Sequence, residues 1–431
     1  MTTPRHSAAF TPHAWGPLRA LANRGYLRLW LANLLSYTPR WMQLTLLAWL
    51  ILEMTDSPWL VALVGFFSSM PMLVFGLLGG VLADRLHRQR LLVVLQAANV
   101  VSNLLLTLVL TTGTVRVWHG YVVILVTGAA WALGFPSRRA LIFDLLGTSG
   151  ITNAVALDSV GMNGSRMVGP ALAGAMIALV GVTGGFVLIT CCYALGLILL
   201  WSLRVQQVER PTRSPQSIVR NLVEGFRYVG QHRVILADVY ITVIMNFLLF
   251  PYMQMIPVLA RDVLHVGPTM MGFLLGAEGV GAMIGSIYIA MCALIRYHGR
   301  FFVIGSLVAL IALFVLSISR WYIVSFPLLL ILGMGTACFG TMQSTIVMLM
   351  AGAEMRGRAL GVISLAIGAG PLGSLLLGVI ADAISPVFAL RVHALLGIIL
   401  LSLTVLLLPA IMDRTEPVWQ SAEPEGKGGM A

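Results

Sequence analysis

Between residues 29 and 411 the chain alternates apolar runs with short polar gaps, and most runs reach about 20 residues. This pattern constrains the fold more than any motif does. A helix needs about 20 apolar residues to cross the hydrocarbon core of a bilayer, and it satisfies its own backbone hydrogen bonds while doing so. A membrane barrel would instead alternate polar and apolar residues in segments of ~10. Twelve runs are expected to be helices. Six lie at 29–52, 59–83, 91–112, 118–137, 155–180 and 184–203. Six more lie at 235–260, 269–294, 301–318, 322–345, 358–381 and 387–411. Only 10% of the residues are charged and 58% are hydrophobic, against ~25% charged in a soluble domain. The expected fold is an all-α integral membrane protein with twelve transmembrane helices in two six-helix bundles.

The longest gap, 204–234, separates the bundles. It carries Arg210, Arg213, Arg220 and Arg227 with Pro211 and Pro215, and its second part, SIVRNLVEGFRYV, has apolar residues at the spacing of an interfacial helix. The organisation read from the sequence is a tail at 1–28, a bundle at 29–203, a linker at 204–234, a bundle at 235–411 and a tail at 412–431. Basic residues divide unevenly between the two sides. Arg116, Arg261 and Arg320 fall on one side, and Arg40, Arg166 and Arg391 fall within runs; the other 21 of the 27 share a side with both tails and the linker. The positive-inside rule places that side in the cytoplasm. The net charge of +11 is thus a topology signal, and no nucleic-acid partner is expected.

The turn between the second and third runs reads GGVLADRLHRQRLL, residues 79–92. Arg85, Arg88 and Arg90 hold it on the cytoplasmic side. Asp84 at the C-terminal end of a helix opposes the helix dipole, unless it faces another helix's N-terminus or an arginine. Gly80-Val81-Leu82-Ala83-Asp84-Arg85, followed by Arg88-Gln89-Arg90, resembles the G-x-L-A-D-R-x-G-R-K signature of the major facilitator superfamily. His87 stands in place of the usual glycine, and Gln89 in place of a usual basic residue. The segments LWLANLLSYTPRWMQ, FPSRRALIFDL and NGSRMVGPALAG resemble a bacterial branch of siderophore exporters and drug-efflux proteins. The resemblance implies a secondary transporter of the bacterial cytoplasmic (inner) membrane, with both termini cytoplasmic. It would work as a monomer on a small organic molecule, surrounded by lipid and without a cofactor. The resemblance also implies a conformational latch built from Gly80, Asp84, Arg85, Arg88 and Arg90. In it Asp84 meets the start of helix 11 near Arg356 and Arg358, and Asp144 pairs with Arg85 or Arg88. The alternative is a solvated turn with no latch.

Polar residues within membrane spans are costly and face a cavity or one another. Arg40 shares a helical face with Asn33, Ser36, Tyr37 and Gln43. That face either lines a substrate cavity or holds Arg40 against an acid elsewhere. Glu278 sits in the glycine-rich LLGAEGVGAMIG. It could carry a proton or form a salt bridge to Arg40 or Arg391. Asp158 is the second proton-coupling candidate. Nearby Asn163 and Arg166 are cavity candidates, although Arg166 could also snorkel towards water. Asn246, Gln254 and Gln343 would add hydrogen-bonding groups to the cavity, whereas Asp238 and Asp382 lie nearer helix ends and read as solvated or capping. Gly169-Pro170 and Gly370-Pro371 occupy corresponding places in the two halves, where a kink and close packing are expected.

The four cysteines lie in apolar stretches without metal-ligand spacing, so no metal is expected. No Walker A, HExxH or GxSxG sequence occurs, which argues against an ATPase or hydrolase within the chain. The leading functional reading is proton-coupled export (antiport) of a small organic molecule. Two readings compete with it: uptake of a small anionic solute by symport or facilitated diffusion, and a membrane scaffold or receptor that does not transport.

Overall fold

The computed structural model describes residues 16–203, 218–292, 296–352 and 354–414. The first half contains α1 (Arg24–Thr55), α2 (Pro58–Arg85), α3 (Arg88–Thr111) and α4 (Val117–Trp201). The 85 residues of α4 turn at Gly147 (φ 63°) and at Gly181 (φ 73°). A side chain at either turn would strain a positive φ, so glycine sets both bends. α4 is therefore three segments, 117–147, 153–180 and 182–201.

After α5 (Ile218–Gln231) the second half begins with α6 (Arg233–Ile244). The path continues through a π turn at Met245–Leu249, a 3-10 turn at Phe250–Met255, the single turn α7 (Ile256–Val258) and a second π turn at Leu259–Val263. Then follow α8 (Pro268–Met291), α9 (His298–Leu316), α10 (Tyr322–Met350), α11 (Arg356–Ile367), α12 (Gly370–Ala383) and α13 (Pro386–Leu407). No described residue is in a strand.

Among the described residues, ten helical stretches are long and apolar enough to cross a membrane. One of them, Asn153–Trp201, has 49 residues, too many for a single ~30 Å crossing, and Gly181 divides it. α1 falls outside the ten although it has 32 residues, because Asn33, Ser36, Arg40 and Gln43 lower its hydropathy. Counting α1 and both parts of the divided stretch, the described residues hold twelve long segments. Two boundaries differ from the sequence expectation. α1 starts at Arg24 rather than 29, because the Asn23 side chain accepts from the Gly25 and Tyr26 amides and caps the helix. The first α4 segment runs to 147 rather than 137, because Arg138 and Arg139 find partners inside the bundle. Side chains such as Ile323, Leu406 and Met291 are more than three-quarters exposed, which suits a lipid-facing surface. Trp118 and Trp321 are exposed at segment ends, where an aromatic belt is expected.

The halves meet along two seams where small residues let backbones touch. Segment 153–180 lies on α8: a Cβ at Gly174 would stand 2.3 Å from the Pro268 carbonyl oxygen, and one at Gly279 would stand 2.7 Å from the Met167 Cα. α2 lies on α12, with Gly378 against Trp59 and Ala62. The two Gly-Pro motifs act differently. Pro170 sits inside continuous helix, while Gly169 leaves room for Trp41 and the Thr38 carbonyl of α1. At Gly370-Pro371 the helix ends and restarts, with Pro371 in the first turn of α12 where its missing N–H costs nothing.

Candidate functional site

Between the two halves lies a cavity of about 160 Å3. Its wall takes Arg40, Trp41 and Thr45 from α1, Ser68 and Ser69 from α2, and Pro170 from α4. The second half contributes Phe250, Met253, Gln254 and Pro257, and α8 contributes Leu275. The wall from the second half is the irregular stretch 245–263. Pro251 and Pro257 cannot donate backbone hydrogen bonds, and the π turns on either side of them absorb the mismatch. Irregular backbone at membrane depth is tolerated where it lines a cavity, and π turns often mark functional sites.

Of the nine residues proposed for a cavity, Arg40 and Gln254 are on its wall. Arg40 Nη1 donates to the Thr127 carbonyl at 3.4 Å, and its guanidinium lies 4.6 Å from the Trp131 ring centre. No described acid forms an ion pair with it. Gln254 spreads over α2, where its amide would stand 2.5 Å from a Cβ at Gly65. Asn33, Tyr37, Gln43, Asn163, Arg166, Asn246 and Gln343 lie off the wall. Asn246 donates to the Thr242 carbonyl (2.9 Å) and Gln343 to the Thr242 hydroxyl (2.8 Å), so both amides are used inside the second half. Gln43 is buried, with neither amide atom hydrogen-bonded to a described residue.

Asn33 and Tyr37 belong to a network around Asp158. The Asn33 amide and the Tyr37 hydroxyl donate to its carboxylate at 2.9 and 3.2 Å, and Arg139 stands 4.0 Å away. Arg138 donates to Asn33 and to the Ser36 hydroxyl. Ser36 donates on to Gln96, whose amide reaches the Tyr193 carbonyl at 3.0 Å. The whole network stays within the first half.

Glu278 is placed otherwise. It is fully buried, and Arg166 Nη2 donates to its Oε1 at 2.6 Å from the opposite half. The Thr336 hydroxyl donates to the same oxygen at 3.0 Å, whereas Oε2 has no described partner. The expected partners Arg40 and Arg391 are thus replaced by Arg166, which does not snorkel. The glycine seam between segment 153–180 and α8 brings the two side chains together. Asp238 also departs from expectation: it is fully buried rather than solvated, and neither oxygen has a described partner. Asp382 is exposed and accepts from Ser57 at 3.2 Å.

Further ion pairs mark the two ends of the molecule. At the end bearing α5, Arg88 pairs with Asp144 at 2.6 Å inside the first half. Arg358 of α11 pairs with Glu224 of α5 at 3.0 Å, and Arg356 reaches the Ala351 carbonyl. Glu224 also accepts from Arg220 at 2.8 Å; this hydrogen bond, aided by the Arg358 charge, holds its carboxyl below the ordinary glutamate range. Arg90 is exposed. The side chains of Gly80, Asp84 and Arg85 lie outside the described residues, as does any contact of Asp84 with α11. At the far end, Arg261 pairs with Asp56 at 2.7 Å and donates to the Leu52 carbonyl at 3.2 Å, joining the halves.

Sequence reasoning missed Arg138, Trp131, Thr127 and Thr336. An arginine pair near the end of an apolar run reads as topology, and nothing local shows that Arg138 turns inward. A Trp, or a Thr within a run, is indistinguishable from packing until its neighbours are known.

The chain matches the transmembrane secretion effector family over residues 13–424. It is 27% identical over 414 residues to the multidrug efflux pump Tap of Mycobacterium tuberculosis (strain ATCC 25618 / H37Rv), covering 91% of this chain and 95% of that protein. It is 23% identical over 379 residues to the staphyloferrin A transporter of Staphylococcus aureus (strain NCTC 8325 / PS 47), covering 86% and 93%. Among solved structures, an auto-inhibited POT family peptide transporter superposes with a TM-score of 0.73 at 14% identity, covering 92% of this chain and 98% of that one. The likeness to that structure is one of fold.

Proposed function

The chain belongs to the transmembrane secretion effector family, a branch of the major facilitator transporters, and on that premise we propose that it exports a small organic molecule in exchange for protons. The protein is a multi-pass membrane transporter rather than an enzyme. The efflux function named for one relative supports the outward direction. The excess of arginine at the α5 end supports a cytoplasmic linker and cytoplasmic termini in a bacterial inner membrane. In this reading, bundles 29–203 and 235–411 rock about the cavity, joined by the linker 204–234. A single chain suffices, because both halves of the cavity wall are its own. Asp84, beside Gly80 and Arg85, is the latch towards α11 when the cytoplasmic end closes.

The observation that carries the proposal is the Arg166–Glu278 pair, whose carboxylate is fully buried and which crosses from one half to the other. In a medium of low polarity an ionised pair attracts strongly, and either partner alone is costly. The ionised pair holds the empty carrier closed at the far end. Once a bound molecule has parted the seam, Glu278 stands away from Arg166 and takes up a proton from the far side, which cancels its charge and disfavours the closed form. When the seam re-forms, Arg166 again favours the carboxylate, and the proton leaves on the cytoplasmic side. The satisfied Asp158 network has no comparable path, so Glu278 is the proton carrier of the two candidates.

Everted membrane vesicles with an acid interior test this directly, with a panel of antibiotics, lipophilic cations and siderophores. Export predicts accumulation of at least one compound above vesicles lacking the protein, abolished by an uncoupler. Glu278→Gln should lose gradient-driven accumulation and keep downhill exchange. Accumulation only in right-side-out vesicles would reverse the direction. Full gradient-driven accumulation by Glu278→Gln would remove it as the proton carrier.

A further inference from the structure

Arg40 differs from the other buried or half-buried arginines between the helices. Arg138 reaches Asn33 and Ser36, Arg88 pairs with Asp144, and Arg166 pairs with Glu278. Arg40 has one long hydrogen bond to a carbonyl and the face of Trp131, and no described acid pairs with it. Arg40 is half-buried; a cation drawn partly out of water without a counter-charge is costly, and a carbonyl plus a cation–π contact offsets only part of that cost. Arg40 also lines the cavity between the halves, and no described Asp or Glu stands on that wall. The wall therefore carries one positive charge, the hydroxyls of Ser68 and Ser69, the Gln254 amide, and the aromatic surfaces of Trp41 and Phe250.

We propose that the cavity selects molecules that join one carboxylate to an apolar body, with Arg40 as the partner of the carboxylate. The anion supplies the counter-charge the protein lacks, and Trp41 and Phe250 suit an aromatic or aliphatic remainder. The same arrangement disfavours organic cations, which would meet Arg40 with no acid to offset the repulsion. The inference deepens the transport reading and rests on this cavity being the transport site.

Three matched probes test it: 1-naphthylacetate, its methyl ester and 1-naphthylethylamine, bound to the purified protein in equilibrium dialysis. The carboxylate should bind at least tenfold more tightly than the ester or the amine. Arg40→Gln should bring the carboxylate down to the level of the ester while leaving ester binding unchanged, which shows that the variant is folded. Arg40→Lys should restore part of the preference. Equal binding of all three, binding of none, or a preference unchanged in Arg40→Gln would overturn the inference. The same probes in everted vesicles separate the two readings. Carboxylate binding without accumulation would contradict export but leave the anion site standing; accumulation of the amine without preference would do the reverse.

Discussion

Two buried carboxylates lie close to the seam between the halves, and the protein treats them in opposite ways. Asp158 is surrounded by donors from its own half: Asn33, Tyr37 and, more distantly, Arg139. Glu278 reaches across to the other half, places a single oxygen between Arg166 and Thr336, and leaves the second without a partner. A carboxylate satisfied within one rigid unit contributes to that unit's shape and has no reason to change when the units move. A carboxylate whose counter-charge rides on the other unit changes its surroundings with every movement. Under the proposed function Asp158 is a structural acid and Glu278 a mobile one, although both read as proton candidates in the sequence.

The largest expected effect comes from removing the structural acid. Asp158→Ala leaves Asn33, Tyr37 and Arg139 without their carboxylate partner, and removing one member of a buried charged network costs on the order of 3–5 kcal/mol. The expected outcome is a marked fall in the melting temperature and yield of the purified protein. Glu278→Gln should lower the melting temperature less, because the amide oxygen still accepts from Thr336 and Arg166 and the Arg166 side chain keeps some exposure, and it should remove the gradient dependence of transport. If both variants lost stability equally, the contrast would fail.

The pair itself can be sharpened with a double substitution. Arg166→Gln removes the counter-charge of Glu278 and leaves it only the Thr336 hydroxyl, so it should reproduce the transport defect of Glu278→Gln. The double variant should be no worse than either single one, since both act on a single interaction. Additive losses would show two separate functions. The seam can also be forced open without touching a charge. A Cβ at Gly279 would meet the Met167 backbone, so Gly279→Val should separate the halves and weaken driven transport while leaving the Asp158 network intact, read by hydrogen exchange over residues 33–37.

The smallest effect is expected at the surface. Glu224 has a lowered pKa through Arg220 and Arg358, so whatever its bonds contribute is present at neutral pH and is lost as the pH falls below the ordinary glutamate range through the lowered value. Amide exchange over Ile218–Gln231 should quicken there. Salt should mask the effect, as it does for exposed pairs.

Fold class and transporter identity were legible because they rest on apolar run length and on one dense motif, both local properties of the chain. The span ends were legible less well. Asn23 and the Arg138–Arg139 pair look like loop residues until their hydrogen bonds are known. Arg40 and Glu278 stood out because a charge inside an apolar run needs a partner. The partners themselves depend on which helices touch, and the Gly174, Gly272 and Gly279 contacts that decide this are long-range. The sequence pattern also suggested that Asn33, Tyr37 and Arg40 act together because they share a helical face. They do share the face, but Arg138 and Asp158 draw the first two into a network while Arg40 turns to Trp131 and lines the cavity.

The most direct test is the distance between the halves at the far end. Spin labels at Met54→Cys and Ile384→Cys, both exposed positions on opposite halves, can be placed after the four native cysteines are replaced. The account predicts one short distance at alkaline pH, and a second, longer population when the pH is lowered or when Glu278→Gln is introduced at alkaline pH. A distance distribution that responds to neither change would contradict the claim that the charge on Glu278 holds the two halves together.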